Sequence, residues 1–534
     1  MLTLSSRTSP SLFPPPLRGR VWEGGEQRSS NLKLPPPPTL PRQKGVHARL
    51  RRAIGGESRS RIAAAIAAFT IALLIIIVPA PAFAAEGLNG AKLSILWALP
   101  FVGILLCIAT GPVFYPHVWE HHYGKFTTFW AALIVVPLFL TADVSTVTTT
   151  LAHTAFLEYM PFILLLLALF VAAGGVYLEG NLHDSVFTNA VLLAVGAVMA
   201  SIVGTTGAAM ILIRPLIRAN DDRRYNTHVV VFFIFLVANI GGALSPLGDP
   251  PLFIGFLKGV DFFWTTKHLW QETLFVGGVV LAIFIAIDLY LHHREGRFTH
   301  KKDPTPDSPL KLHGTINLVL IAVIIAAILM SAQWKPGISF FVAGVELRIQ
   351  DLLRDAILVV VVFASLAWTQ KSDRAANGFS WGPIQEVAIL FAGIFICIVP
   401  VMAMLQAGAQ GPFAALLGLV THADGSNNAA AYFWLTGILS SFLDNAPTYL
   451  VFFQLAGGDA QVLMGAKAAT LAAISSGAVF MGANTYIGNA PNFMVYAIAR
   501  QAGVNMPSFF GFMVWSGLVL IPTFVLATFL FFRP

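Results

Sequence analysis

Residues 430–457 read AAYFWLTGILSSFLDNAPTYLVFFQLAG, two apolar arms around the polar centre Asp444-Asn445-Ala446-Pro447-Thr448. The stretch is too long for one membrane crossing, which takes about 20 helical residues, and too short for two. A helical hairpin that enters and leaves on the same side fits that length. Broken backbone at membrane depth is tolerated only where it faces protein or a water-filled cavity, because an unpaired amide or carbonyl in lipid costs several kcal/mol. Residues 188–218, TNAVLLAVGAVMASIVGTTGAAMILIRPLIR, repeat the design around Gly204-Thr205-Thr206-Gly207.

The two centres are related by a constant offset. Ser201-Ile-Val-Gly-Thr205 aligns with Ser441-Phe-Leu-Asp-Asn445 at a shift of 240, and the same shift aligns Gly242-Ala-Leu-Ser245-Pro-Leu-Gly248-Asp249-Pro-Pro251 with Gly482-Ala-Asn-Thr485-Tyr-Ile-Gly488-Asn489-Ala-Pro491. Two motifs keeping one offset point to duplicated halves. Discontinuous helices at matching places in two halves are the mark of secondary transporters. The expected architecture is therefore all-α: a polytopic membrane protein of about ten transmembrane helices plus two re-entrant hairpins, in two repeats of inverted topology. The first repeat spans 85–292, a basic cytoplasmic linker 293–314, and the second repeat 315–534.

Composition agrees. Of 534 residues 56% are hydrophobic and 11% charged, against about 25% charged in soluble proteins, which excludes a soluble enzyme. The net charge of +7 is not spread along the chain: residues 1–84 hold 12 Lys and Arg against 3 Asp and Glu, leaving a net −2 beyond. The basic balance thus belongs to the leader and gives no reason to expect a nucleic-acid partner. Residues 1–58 have the Pro- and Arg-rich composition of a disordered leader or a mis-assigned start, with Val46 as one alternative initiator. Residues 59–84 carry a basic flank, an apolar core and Ala82-Phe83-Ala84, the pattern of a secretory signal peptide. An uncleaved first helix behind a cytosolic Pro-rich tail is the alternative. Cys107 and Cys397 both sit in apolar runs and read as packing residues.

Apolar runs at 94–115, 126–143, 157–177, 228–258, 273–292, 315–333, 351–369, 386–404, 464–499 and 509–531 supply the ten expected spans. With the processed N-terminus outside, thirteen basic residues fall on the inner side and eight on the outer, the direction of the positive-inside rule. The 188–218 hairpin then opens from the cytoplasm and the 430–457 hairpin from the periplasm.

Chemistry is concentrated at four breaks: 204–207, 245–251, 444–448 and 484–492. Unwound carbonyls with Asn, Ser and Thr oxygens suit a hard cation such as Na⁺, and half-helix N-termini suit an anion; prolines kinking helices for packing are the alternative. Asp444 is the leading candidate, since an intramembrane carboxylate is expensive and usually functional. It can hold Na⁺ or H⁺ in turn, although an Asp there can equally cap the second hairpin helix. Asp249, in ordinary turn text, is the second candidate. The expected ion- and proton-coupling set is Asp444, Asn445, Thr448, Asp249, Ser245, Thr205, Thr206, Asn484, Thr485 and Asn489, with Na⁺ at Asp444, Asn445, Asn484 and Thr485. No cofactor is expected beyond the transported Na⁺ and H⁺. Glu158 and Glu386, each opening the span before a hairpin, form a candidate gating pair. Asp288 is expected in a wet position near the inner end of its span, and His117, His121 and His122 at an interface rather than on a metal.

At Ser440-Ser-Phe-Leu-Asp-Asn-Ala-Pro-Thr448, Gly482-Ala-Asn-Thr-Tyr-Ile-Gly-Asn-Ala-Pro-Asn492 and Gly241-Gly-Ala-Leu-Ser-Pro-Leu-Gly-Asp-Pro-Pro251 the sequence resembles the ion transporter superfamily. Within it the chain is similar, over roughly residues 90 to 532, to sodium/proton antiporters of the NhaD type and their citrate-transporter-like relatives. In sodium-coupled dicarboxylate carriers of that superfamily both tips carry Ser-Asn-Thr. Here they carry Gly204-Thr205-Thr206 and Asp444-Asn445-Ala446, and Asp444 would repel an anion in the same pocket. The resemblance implies Na⁺/H⁺ antiport in a bacterial inner membrane by a homodimer whose transport domain moves as an elevator against a scaffold. Two other readings remain: a sodium-coupled organic-anion (citrate, dicarboxylate) or oxyanion symporter, which would need compensating cations at the pocket, and a membrane-embedded enzyme, for which no nucleophile–base set converges.

Overall fold

The computed structural model describes residues 88–182, 185–295 and 308–533. The leader and signal-peptide readings therefore lie outside the described residues, as do positions 296–307 of the central linker. The first helices are α1 (Leu99–Phe114), α2 (Pro116–Thr141), α3 (Val144–His153), a π-helical turn (Thr154–Tyr159) and α4 (Met160–Ala173). Pro116 sits at the start of α2, where a missing amide costs nothing, and the Asp143 carboxylate accepts from the Ser145 amide at 2.9 Å to cap α3.

The first hairpin is α5 (Val186–Val203) and α6 (Thr205–Arg218), which meet at Gly204. Ser185 starts it by accepting from the Thr188 amide. Gly204 turns it at φ +83°, backbone that a side chain disfavours, and a Cβ there would lie 3.2 Å from the Leu247 carbonyl. The chain continues through α7 (Thr227–Leu236), a 3₁₀ turn at Ile240–Leu244, α8 (Pro250–Leu257), short α9 (Trp264–His268) and α10 (Trp270–Glu295).

Then follow α11 (Ile316–Gln333), α12 (Ile349–Trp368), short α13 (Lys371–Ala376), α14 (Gly382–Cys397), α15 (Val399–Gln406) and short α16 (Ala414–Leu419). The second hairpin is α17 (Ala429–Phe442) and α18 (Asn445–Leu455), followed by α19 (Ala460–Met464), α20 (Ala468–Met481), a 3₁₀ turn at Gly482–Asn484, α21 (Ala490–Gln501) and α22 (Phe509–Phe531). Two small antiparallel ribbons lie among the connections: β1 (Tyr177–Asn181) with β2 (Ser308–His313), and β3 (Ser339–Val342) with β4 (Val345–Arg348).

Among the described residues eight helices, α5 of the first hairpin included, are long and apolar enough to cross a membrane, or nine if α14 and α15, bent by 41°, count as one span; about ten were expected besides the two hairpins. Runs 228–258 and 464–499 are each interrupted, because their Gly-, Pro- and Asn-rich centres unwind. Run 351–369 is the helix α12, but it opens with Asp351, Arg354 and Asp355, joined in ion pairs. That polar foot excludes it from the apolar spans.

Burial separates the helices into two kinds. The first-half run through α7 is 89% buried over its window, while α2 is 17% and α10 22% buried. Leu140, Phe510 and Leu518 stand exposed on outer helices, which suits a lipid solvent where outward apolar residues carry no penalty. Inside, α20 has buried residues on every face. Arg374 of α13 is buried without an ion-pair partner among the described residues and donates to the Val171 and Ser365 carbonyls, tying the ends of α4 and α12. Burial pushes its guanidinium down to about 10.

Candidate functional site

The breaks that the sequence marks as polar are brought to one place. Asp249 directly precedes α8, yet its side chain makes no capping bond to that helix. It is 1% exposed. One carboxylate oxygen accepts from Thr205 Oγ1 at 3.1 Å and Asn489 Nδ2 at 3.0 Å, and the other accepts from Asn445 Nδ2. Three donors from three different breaks, two of them in the second half, therefore converge on one carboxylate of the first.

Asp444 takes the place that the capping reading gave it. Its carboxylate accepts from the Ala446 amide at 3.0 Å at the start of α18, and Thr448 Oγ1 donates to its backbone carbonyl at 2.9 Å. At the equivalent tip position stands Gly204, and no side chain caps α6; the Thr205 amide donates instead to the Gly248 carbonyl at 2.8 Å.

The offset of 240 is repeated in hydrogen bonds. Ser201 Oγ donates to the Gly241 carbonyl as Ser441 Oγ does to that of Met481. Ser245 Oγ donates to the Ser201 carbonyl as Thr485 Oγ1 does to that of Ser441. Each of these hydroxyls then accepts the amide two residues on, Leu247 and Ile487. Close backbone approach recurs too: a Cβ on Gly248 would lie 2.1 Å from the Gly242 carbonyl oxygen, and one on Gly488 would lie 2.6 Å from that of Gly482. Ser245 and Thr485 thus tie each unwound segment to the helix before its tip. Asn484 donates to Ser441 Oγ at 2.9 Å and its backbone carbonyl accepts from Ser516. The side-chain oxygens of Asn445 and Asn484 are buried without a hydrogen-bond partner, and a buried acceptor with no donor is an opening for a cation.

A cavity of about 80 Å³ touches Gly204, Thr205, Thr206, Asp249, Asp444 and Asn489, and is closed by apolar groups such as Leu169, Phe253 and Phe391. None of its described lining residues is Lys, Arg or His. The volume is far below the roughly 300–1,000 Å³ of sites that enclose organic ligands.

Two residues of this network were not nominated from the sequence. Asn239 Nδ2 donates to Asn492 Oδ1 at 2.7 Å, and Asn492 Nδ2 to the Gly482 and Thr485 carbonyls; Asn489 also donates to the Ala238 carbonyl. Asn239 is the lone polar residue in VVVFFIFLVANIGG, a signal that could have found it. One expectation is corrected outright: Asp288 is not wet but 0% exposed, engaged by Arg223, His228 and Asn189. Asn220, which exchanges hydrogen bonds with Asn189, is 1% exposed. Glu158 and Glu386 take separate partners, Lys258 Nζ at 2.5 Å and Trp119 Nε1 at 2.9 Å. His117 and His121 lie ring against ring, and no group of three metal-ligating residues occurs among the described residues.

Interrupted helices meeting at a polar, partly enclosed centre inside a multi-pass apolar bundle define a membrane transporter. The chain belongs to the family described as "Putative citrate transport", which matches residues 90–532. It is also similar to uncharacterized transporters of Mycobacterium bovis and Mycobacterium tuberculosis, each 26% identical over 322 residues covering 59% of this chain and 69% of the relative. Family membership makes it a secondary transporter and not an enzyme.

Proposed function

We propose that the protein is a sodium/proton antiporter of a bacterial inner membrane, exchanging Na⁺ and H⁺ at a shared site formed by Asp249 and Asp444. The observation that carries this reading is Asp249, buried among the uncharged donors Thr205, Asn445 and Asn489 with no basic residue described in the adjoining cavity wall. An ionised carboxylate removed from water without a counter-ion is costly, so it must take up either a proton or a metal cation. Mutually exclusive occupancy of that kind is what exchange requires. Na⁺ would find further ligands in the unpartnered oxygens of Asn445 and Asn484, with Asp444 and Thr485 beside them in sequence and Thr206 and Thr448 flanking the tips. Oxygen donors without nitrogen or sulfur suit a hard cation. The halves would run in opposite senses, one tip opening to each side, a reading supported by the repeated offset; that the protein works as a dimer is implied by the family resemblance alone.

A second reading, cation-coupled uptake of an organic anion such as citrate, is favoured by the family's description and by the start of α6, which no side chain caps and whose amides after Thr205 can receive a carboxylate. The small cavity and its two carboxylates weigh against it. Everted vesicles holding the full chain separate the two. Antiport predicts that added Na⁺ collapses an imposed proton gradient without citrate, and radiolabelled citrate uptake with no Na⁺-driven pH change would overturn it.

A further inference from the structure

On the outer flank of the bundle, α1 and α2 pack against each other and leave a groove on the side that lipid covers. Two glycines of α1 bring the helices together: a Cβ on Gly111 would lie 2.3 Å from the Trp119 ring, and one on Gly103 would lie 2.3 Å from that of Trp130. Trp130 Nε1 donates to Cys107 Sγ at 3.4 Å, and the Phe129 ring stands edge-on to the Trp130 ring at 5.2 Å. These contacts fix the rings that line a groove of about 430 Å³, whose remaining wall on α2 is Val118, His122, Lys125 and Phe126. At 3.6 residues per turn, positions 118, 122, 125 and 129 fall on one stripe of the helix. Val118 and Phe129 on that stripe are 47% and 55% exposed.

The stripe changes character at Lys125. Residues 116–125 read PHVWEHHYGK, with Trp119 and Tyr123 as amphipathic rings of the kind that settle at headgroup level, whereas residues 126–141 carry no charge. Leu133 and Val136 continue the stripe as exposed apolar residues. From Lys125 to Val136 is about 16 Å at 1.5 Å per residue, the depth of one leaflet in a hydrocarbon core about 30 Å thick. A cation therefore stands where a headgroup lies, above an apolar track the length of an acyl chain. Lys125 makes no hydrogen bond or ion pair among the described residues, and none of the described lining residues is acidic. Glu120, five positions earlier, falls on another face of α2, Glu386 of the neighbouring α14 accepts from Trp119 Nε1, and α1 carries no charge. A lysine that only snorkels to water needs no groove beneath it.

We propose that the groove between α1 and α2 is a binding site for one anionic phospholipid, its headgroup phosphate on the Lys125 ammonium and one acyl chain along Phe126, Phe129 and Trp130. Charge complementarity selects the headgroup, because a basic residue at the membrane surface favours an anionic lipid. The apolar wall holds the chain whatever the headgroup. Neither α1 nor α2 contributes to the wall of the transport cavity, so the lipid braces the outer helices without entering the ion site.

Native mass spectrometry of the full chain released from a neutral detergent tests this without any ion gradient, and so independently of the cation-exchange reading. The first lipid retained should bind about fivefold more tightly as phosphatidylglycerol than as phosphatidylcholine with the same acyl chains, the effect of one basic residue near an anionic surface. Lys125→Gln should abolish that preference and Lys125→Arg should keep it, while Phe129→Ala should weaken both lipids alike. Lys371→Gln removes an exposed basic residue away from the groove and should change neither. Equal retention of the two lipids by the wild type, or a preference kept in Lys125→Gln, would overturn the proposal. An equal loss in Lys371→Gln would overturn it in favour of diffuse charge attraction, and retention of inorganic phosphate in place of the lipid in favour of a simple anion site. A dimer mass that disappears in Phe129→Ala without added lipid would make the groove a contact between copies instead.

Discussion

Two carboxylates in the same cavity wall are held in different ways, and their variants should separate accordingly. Asp249 gives no bond to the helix it precedes and accepts three side-chain donors. Asp249→Asn keeps the shape but removes the charge, so it should abolish Na⁺-dependent proton movement in everted vesicles while expression stays near normal; full activity would exclude Asp249 as the exchanging group. Asp444 also caps α18. Asp444→Ala should therefore stop exchange and lower stability by about 1 kcal/mol, the usual cost of a lost cap, whereas Asp444→Asn, which can still cap, should stop exchange at nearly wild-type melting temperature. Competition fixes the sign of the pH dependence. Protons hold the carboxylates at low pH, so the apparent Na⁺ affinity should rise with pH and level off once they are ionised. A flat affinity in initial-rate measurements across that range would remove the shared site.

At the scale of the element, the tips differ in how they turn. Gly204 reverses the chain at φ +83° against the Leu247 carbonyl, whereas the second tip passes through Leu443 and Asp444 in extended backbone. Gly204→Ala should cost about 1 kcal/mol or more, because alanine resists that conformation, and should lower the thermal midpoint; alanine at Leu443, in ordinary backbone, should not incur this conformational penalty. Hairpin length and the polar centres were readable from the sequence because apolar runs and the Gly, Pro and Asn breaks are local features. The pairing of Ser201 with Gly241 and of Ser441 with Met481 was not, since those partners lie about 40 residues apart.

For the whole molecule, the decisive test is the sense of the two halves. Cysteine at Arg224, exposed beyond the foot of the first hairpin, should react only with reagent on the cytoplasmic side, and cysteine at Gly425, exposed before the second hairpin, only from the periplasm. Labelling of both from one side would remove the inverted repeat and the alternating access built on it. Asn220 cannot serve as the first probe, being buried against Asn189.

What the sequence determined by itself is the class of molecule: a low-charge apolar chain must take lipid as its solvent, and breaks in such a chain must surround a polar centre. It also marked Thr205, Asp249, Asn445 and Asn489, because each is a polar residue at a glycine- or proline-rich break. Tertiary structure alone decided that these four meet at the Asp249 carboxylate, that Asn239 and Asn492 join them, and that Asp288 is sealed from water by Arg223 and His228. The reason is that hydropathy records how much polar surface a segment carries, but not which distant segment satisfies it. In a bundle of interrupted helices a carboxylate becomes a cap, an ion pair or an exchange site according to the donors that packing brings within about 3 Å.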